Sequence, residues 1–145
     1  QRPGPGDIVN VCGVACGLAR IAAGLQAKFG LSEPIRIGGG INSGLASLGN
    51  IGNAGNADHT ALGETVNRAF RLESMTREIN VDLAIAEGAY RIIAPVTELA
   101  AVFRPCTLSL KGYTQPVAAF ATNFAILEAA VASCPSNLGR SAIRG

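Results

Sequence analysis

Asn67 and Arg71 stand four residues apart in the stretch HTALGETVNRAFRLES, with Ser74 three residues further on. On a helix, side chains at i and i+4 reach the same patch of space. A carboxamide presents a donor and an acceptor to a hydroxyl or ether oxygen, and a guanidinium presents a fixed fork of donors to an anion. Together they suit a sugar phosphate. The spacing equally suits a solvated helix face with a polar pair, and it leaves both readings open. Thr60 ends a Gly- and Asn-rich loop seven residues before Asn67, and Lys111 lies in the turn-like LSLKGYTQPV. Both gain weight if a phosphate site is present.

Other chemistries fit poorly. GGGINSG contains glycines but no GxxxxGK[ST], and it does not open a helix after a βαβ strand. Ser43 has no histidine partner in a recognisable hydrolase motif. Cys12, Cys16, Cys106 and Cys134 include no CxxC pair, and His59 is the only histidine, so no zinc pattern forms. Cys12 and Cys16 at i,i+4 read as small buried apolar residues, and a reduced, cytoplasmic setting is expected. Twelve Lys and Arg against ten Asp and Glu give a net charge of +2, far from the excess that marks a nucleic-acid binder.

The elements that must position these residues follow from pattern and punctuation. With 145 residues, 48% of them apolar, one domain with a real core is expected. QRPGPGD reads as a loop, and VCGVACGLARIAAGL as a buried first helix ending near Phe29 and Gly30. Arg20 and three glycines interrupt that apolar run, so neither a membrane span nor a signal peptide is expected. Ile35 to Gly40 reads as a strand and Leu45 to Ile51 as a second, paired with it as a hairpin. The next helix runs to about Glu78, with Leu62, Val66, Ala69 and Phe70 as its core stripe. A strand at Val81 to Ile85, a short helix over AEGAYRII, two strands around Lys111 to Gln115, and a closing helix from Phe124 to Ser133 complete the order. Residues 134–145 read as a flexible tail. The expected class is α+β, a mostly antiparallel sheet with helices on one face.

RIGGGINSG, LGNIGN, ADHTALGETVNRAFRLES and LSLKGYTQPVAAF, in that order, resemble the C-terminal two-thirds of a class III nucleotide cyclase catalytic domain. The resemblance covers about residues 11–120 of a single domain, 1–145. It implies a ferredoxin-like cyclase fold. It also implies attack of a ribose 3′-hydroxyl on the α-phosphate of ATP, giving cyclic AMP and pyrophosphate at the interface of a head-to-tail homodimer with two Mg²⁺ or Mn²⁺ ions.

By the same resemblance Asn67 orients the ribose, Arg71 neutralises charge on the α-phosphate, Lys111 meets the terminal phosphates and Thr60 reads the adenine amino group. Thr60 favours ATP over GTP. Arg36 is similar to a phosphate-contacting arginine but lies two residues earlier relative to GINSG than in the family pattern, and His59 and Glu64 stand where Tyr and Asp are common. The resemblance places two metal-binding aspartates and a purine-reading lysine before the first helix, in a segment that these 145 residues lack. The chain therefore reads as a cyclase domain truncated at the N-terminus, with no metal ligands of its own, no nucleic-acid or direct membrane contact, and no activity alone. Self-association through the sheet edge left open is expected. A degenerate cyclase-like domain that regulates or dimerises without catalysis is the alternative reading.

Overall fold

The computed structural model describes residues 2–51 and 58–135. The Gly- and Asn-rich loop over 52–57 and the expected tail beyond 135 lie outside the described residues. In chain order the elements are α1 (Pro5–Phe29), β1 (Gly39–Ile41), β2 (Ser47–Ile51), β3 (Asp58–Leu62) and α2 (Glu64–Glu78). They continue with β4 (Leu83–Ala86), α3 (Glu87–Ile93), α4 (Thr97–Ala100), β5 (Arg104–Leu108), β6 (Val117–Thr122) and α5 (Phe124–Ser133).

The first helix begins earlier than its breaker-rich leader suggests. Pro5 occupies the first helical position, where its missing N–H costs nothing, and the Asp7 carboxylate accepts a hydrogen bond from the Gly4 N–H at 2.8 Å. The end is as expected: Gly30 adopts φ 58°, and the Leu31 N–H reaches back to the Gln26 carbonyl at 3.1 Å. The expectation of a buried helix is corrected. Ile8, Cys12 and Cys16 face the core, yet only 22% of the most apolar stretch of α1 is buried. By length and composition alone the helix is long and apolar enough to cross a membrane.

A four-stranded sheet in the order β1-β4-β6-β5 forms the centre, and β2 and β3 make a separate two-stranded ribbon. The expected hairpin between the first two strands is corrected. β1 pairs in parallel with β4, Gly40 opposite Ala84, whereas β2 pairs antiparallel with β3, Gly49 opposite Thr60. The first strand is also shorter than expected, because residues 35–38 lie outside the pairing. The hairpin of β5 and β6 around Lys111 is present as expected. The α+β class and the mostly antiparallel sheet therefore stand.

The placing of helices on one face does not stand. All four residues of β4 are buried, and their side chains alternate between two clusters. Leu83 and Ile85 join α1, α3 and α5 through Ile8, Cys12, Ile93 and Leu127. Ala84 and Ala86 join Leu72 of α2 with Leu108 and Ala119 on the other face. A strand covered on both sides must be apolar at every position, and LAIA is.

The glycines before and within β1 explain how α2 sits there. A Cβ on Gly40 would run into the Ala69 carbonyl oxygen and lie 2.7 Å from the Glu73 backbone nitrogen, and one on Gly38 would meet Thr76 Oγ1. The close approach that the glycine run implies is thus that of the α2 backbone. The core stripe of α2 shifts accordingly. Leu72 and Thr76 are fully buried, whereas Leu62 and Phe70 are 53% and 67% exposed.

Cys12 yields a prediction. Burial pushes its thiol up to about 12, with Cys16 and Cys134 adding to the rise, from an ordinary value of 9.0. Above pH 9 the unfolded chain loses this proton while the folded chain keeps it until about 12. Stability is full below pH 9 and falls as pH rises across that window, by about 1.4 kcal/mol per pH unit from this group. Urea unfolding from about pH 8 to about pH 10.5 is expected to show that fall, and Cys12→Ala to make it shallower. Equal slopes for the two proteins would contradict it.

Candidate functional site

The middle of α2 and the turn between β5 and β6 meet around one aromatic ring. Arg71 Cζ lies 5.2 Å from the Tyr113 ring centre and Arg68 Cζ lies 5.1 Å from it, so both guanidiniums rest on the ring. The Tyr113 hydroxyl donates to Glu64 Oε1 at the start of α2. Glu64 thus anchors the turn to the helix end where a carboxylate is favoured by the exposed N–H groups.

Gly112 completes the contact. It adopts φ 83°, in the left-handed region, and a Cβ there would lie 3.1 Å from Arg71 Nη1. Arg71 is half-buried beneath this turn, and Lys111, the preceding residue, is exposed at its edge. Asn67, one helical turn before Arg71, is exposed. Two guanidiniums, those of Arg68 and Arg71, thus lie over Tyr113, with the carboxylate of Glu64 at its hydroxyl and Lys111 two residues earlier in the turn. Arg68 Nε is buried and has no hydrogen-bond partner. A cleft of about 370 Å³ opens beside it, lined by Tyr113, Thr114, Gln115 and Glu87 among others.

The structure thus brings Asn67, Arg71 and Lys111 into one region. Thr60 is half-buried on β3, and Leu62 and Gly63 carry that strand of the ribbon into Glu64 at the start of α2. Two hydrogen bonds fix this entry: Thr65 Oγ1 donates to the Leu45 carbonyl at 2.6 Å, and Asn42 Nδ2 donates to the Thr65 carbonyl at 3.0 Å. Arg36 is elsewhere. Its Nη2 lies 3.3 Å from Asn80 Oδ1 and 3.8 Å from Asp82 Oδ1. Asn80 follows the C-terminus of α2, about 13 Å along the helix axis from Arg71.

Arg68 and Tyr113 escaped the sequence reading. Arg68 carries a signal in hindsight, since it precedes Arg71 by three residues and shares its side of the helix. Tyr113 offers only its place after Lys111-Gly112, because its partners lie some 45 residues away in the chain.

No group of three or more His, Cys, Asp or Glu side chains that could hold a metal ion occurs among the described residues. The described residues do not fit a two-metal group.

The sheet order and the helices on it form a class III cyclase-like domain. The fold is similar to the crystal structure of the adenylyl cyclase CyaB from P. aeruginosa, with a TM-score of 0.53 and 26% identity over 74% of this chain. It is also similar to a bacterial light-regulated adenylyl cyclase, at 22% identity over 60% of this chain and a TM-score of 0.38. This chain spans 55% of the CyaB chain and 24% of the light-regulated one. No protein-family model matches it, and no curated protein does.

Proposed function

We propose that this chain is part of an adenylate cyclase catalytic domain that converts ATP to cyclic AMP and pyrophosphate. The observation that supports this reading most is the seating of Arg71 against Gly112 and Tyr113, which holds its guanidinium at the turn that also carries Lys111, on the helix that carries Asn67 one turn earlier. Phosphoryl transfer needs positioning and charge neutralisation more than covalent help, and these residues supply both.

Asn67 accepts from and donates to the ribose, holding its 3′-oxygen toward the α-phosphate. Arg71 places two N–H groups on the α-phosphate oxygens, where charge grows in the transition state. Lys111 attracts the terminal phosphates that leave as pyrophosphate. Thr60 accepts a hydrogen bond from the adenine amino group. The two divalent ions that this reaction uses would take their ligands from outside the described residues, where they would supply counter-charge to the triphosphate, and a head-to-tail second copy would close the site in a cytoplasmic setting. The described residues alone lack that counter-charge and are proposed to be inactive.

One observation favours a second reading, a cyclase-like regulatory domain: the lack of a metal-holding group among the described residues. An assay separates the two. The chain, and a version lengthened at its N-terminus with a cyclase metal-binding segment, would be incubated with ATP or GTP and Mn²⁺. Cyclic AMP from the lengthened version alone is the expected result. ATP binding with no cyclic product would favour the regulatory reading.

A further inference from the structure

The face of α1 that turns away from the core is apolar at a strict spacing, and at its N-terminal end Asp7 and Val11 also line a cavity of about 570 Å³ with Gly40 and Ile41 of β1. Val11, Val14, Leu18, Ile21 and Leu25 follow one another at steps of three, four, three and four, and each is between 38% and 64% exposed. That 3.5-residue period is the mark of a seam that meets another helix. The same steps continue to Asp7 on one side and Lys28 on the other, so the apolar seam is closed by an anion at its N-terminal end and a cation at its C-terminal end. Gly17 and Gly24 flank it, with open space where their Cβ atoms would be.

We propose that α1 pairs antiparallel with α1 of a second copy of this chain along the seam from Asp7 to Lys28. Charge selects the direction. An antiparallel pair sets each Asp7 beside the partner's Lys28, and a parallel pair would set like charges together. Asp7 Oδ2 already accepts from Gly4 N–H, which leaves the other carboxylate oxygen for the ammonium. The helix dipoles also oppose each other only in the antiparallel arrangement.

Shape agrees with charge. Setting Asp7 against the partner's Lys28 puts the two-fold axis between Gly17 and Leu18. Leu18 then lies over the partner's Gly17, Val11 over the partner's Gly24, and Val14 against the partner's Ile21. Large residues meet gaps, which lets the backbones approach. The stripe offers on the order of 500 Å² per copy, so the pair buries on the order of 1,000 Å², the lower bound for a specific interface and the range of a weak dimer. This pairing does not rest on the cyclase reading, and it uses a surface other than α2 and the β5–β6 turn.

Sedimentation equilibrium of the 145-residue chain tests it, with circular dichroism to confirm that each variant is folded. A dimer is expected, and Ile21→Glu is expected to weaken it at least about 100-fold by burying an unpaired charge on an otherwise exposed site. Lys28→Glu alone is expected to weaken it about fivefold, and Lys28→Glu combined with Asp7→Lys to restore most of that loss. A chain that stays monomeric up to about 100 µM overturns the proposal. Flotation of that monomer with phosphatidylserine–phosphatidylcholine vesicles, lost in Ile21→Glu, would then assign the seam to a bilayer. A dimer indifferent to Ile21→Glu also overturns it, and places self-association on another surface such as the β1 edge.

Discussion

Replacing Arg71 with Ala is expected to lower cyclic AMP formation by about 10²–10³-fold in the lengthened protein, roughly 3–4 kcal/mol of transition-state stabilisation. The expectation follows from where the guanidinium sits. It is half-buried under the turn at Gly112 and stacked on Tyr113, so its donors are fixed before substrate arrives. Preorganised donors act without reorganisation at the moment of reaction, which is why removing one costs more than a surface ion pair. Arg71→Lys keeps the charge but loses the fork and the flat stacking surface, and is expected to recover only part of the rate. The folded state should change little, since Arg71 belongs to neither hydrophobic cluster, and an unfolding midpoint near that of the parent would separate lost chemistry from lost structure. A variant within about threefold of the parent rate would remove Arg71 from the mechanism.

What could be read from residues alone divides along the line between local and distant interactions. The span of α2 was legible because Gly63, the carboxylate of Glu64 and the helical formers up to Glu78 act within a turn or two of chain. The same holds for α5 and for the turn at Lys111-Gly112. The pairing of β1 was not legible. Its hydrogen-bonding partner, Leu83–Ala86, lies some 40 residues on, and a three-residue strand rich in glycine has no alternation to declare a face. β3 was missed for a similar reason: DHTAL lacks the period of a half-buried strand and follows a run of turn formers.

The site shows the same division. Asn67 and Arg71 announce themselves by helical spacing, and Lys111 by its turn. That Arg71 and Arg68 would share one tyrosine from a turn about 45 residues later is a tertiary fact. The burial of α1 differs from expectation because a helix with apolar residues on more than one side does not reveal which side the sheet takes. Composition sees apolar residues, and only packing sorts Cys12 and Cys16 from Val14 and Ile21.

The largest expected effect on stability belongs to Gly40→Ala. A methyl group there would enter the Ala69 carbonyl oxygen and approach the Glu73 backbone nitrogen to 2.7 Å, and neither backbone atom can swing aside as a side chain can. Helix α2 must move off β1, which loosens the packing of Leu72 against Ala84 and Leu108. A loss of about 3 kcal/mol or more is expected from urea or thermal unfolding, in the range of overpacked cores. Gly38→Ala should cost less, because its new methyl meets the hydroxyl of Thr76, and Gly49→Ala, where the space is open, should shift stability by only about 0.5 kcal/mol. A Gly40→Ala protein that unfolds with the parent would mean that the glycines are kept for something other than the helix. The order of these three variants also bears on the site. Asn67 and Arg71 ride on α2, and a displacement of about 1 Å is enough to cost a positioned reaction about 10²-fold. Gly40→Ala is therefore expected to lose rate and stability together, whereas Arg71→Ala loses rate alone, and that contrast distinguishes the residue that holds the helix from the residue the helix holds.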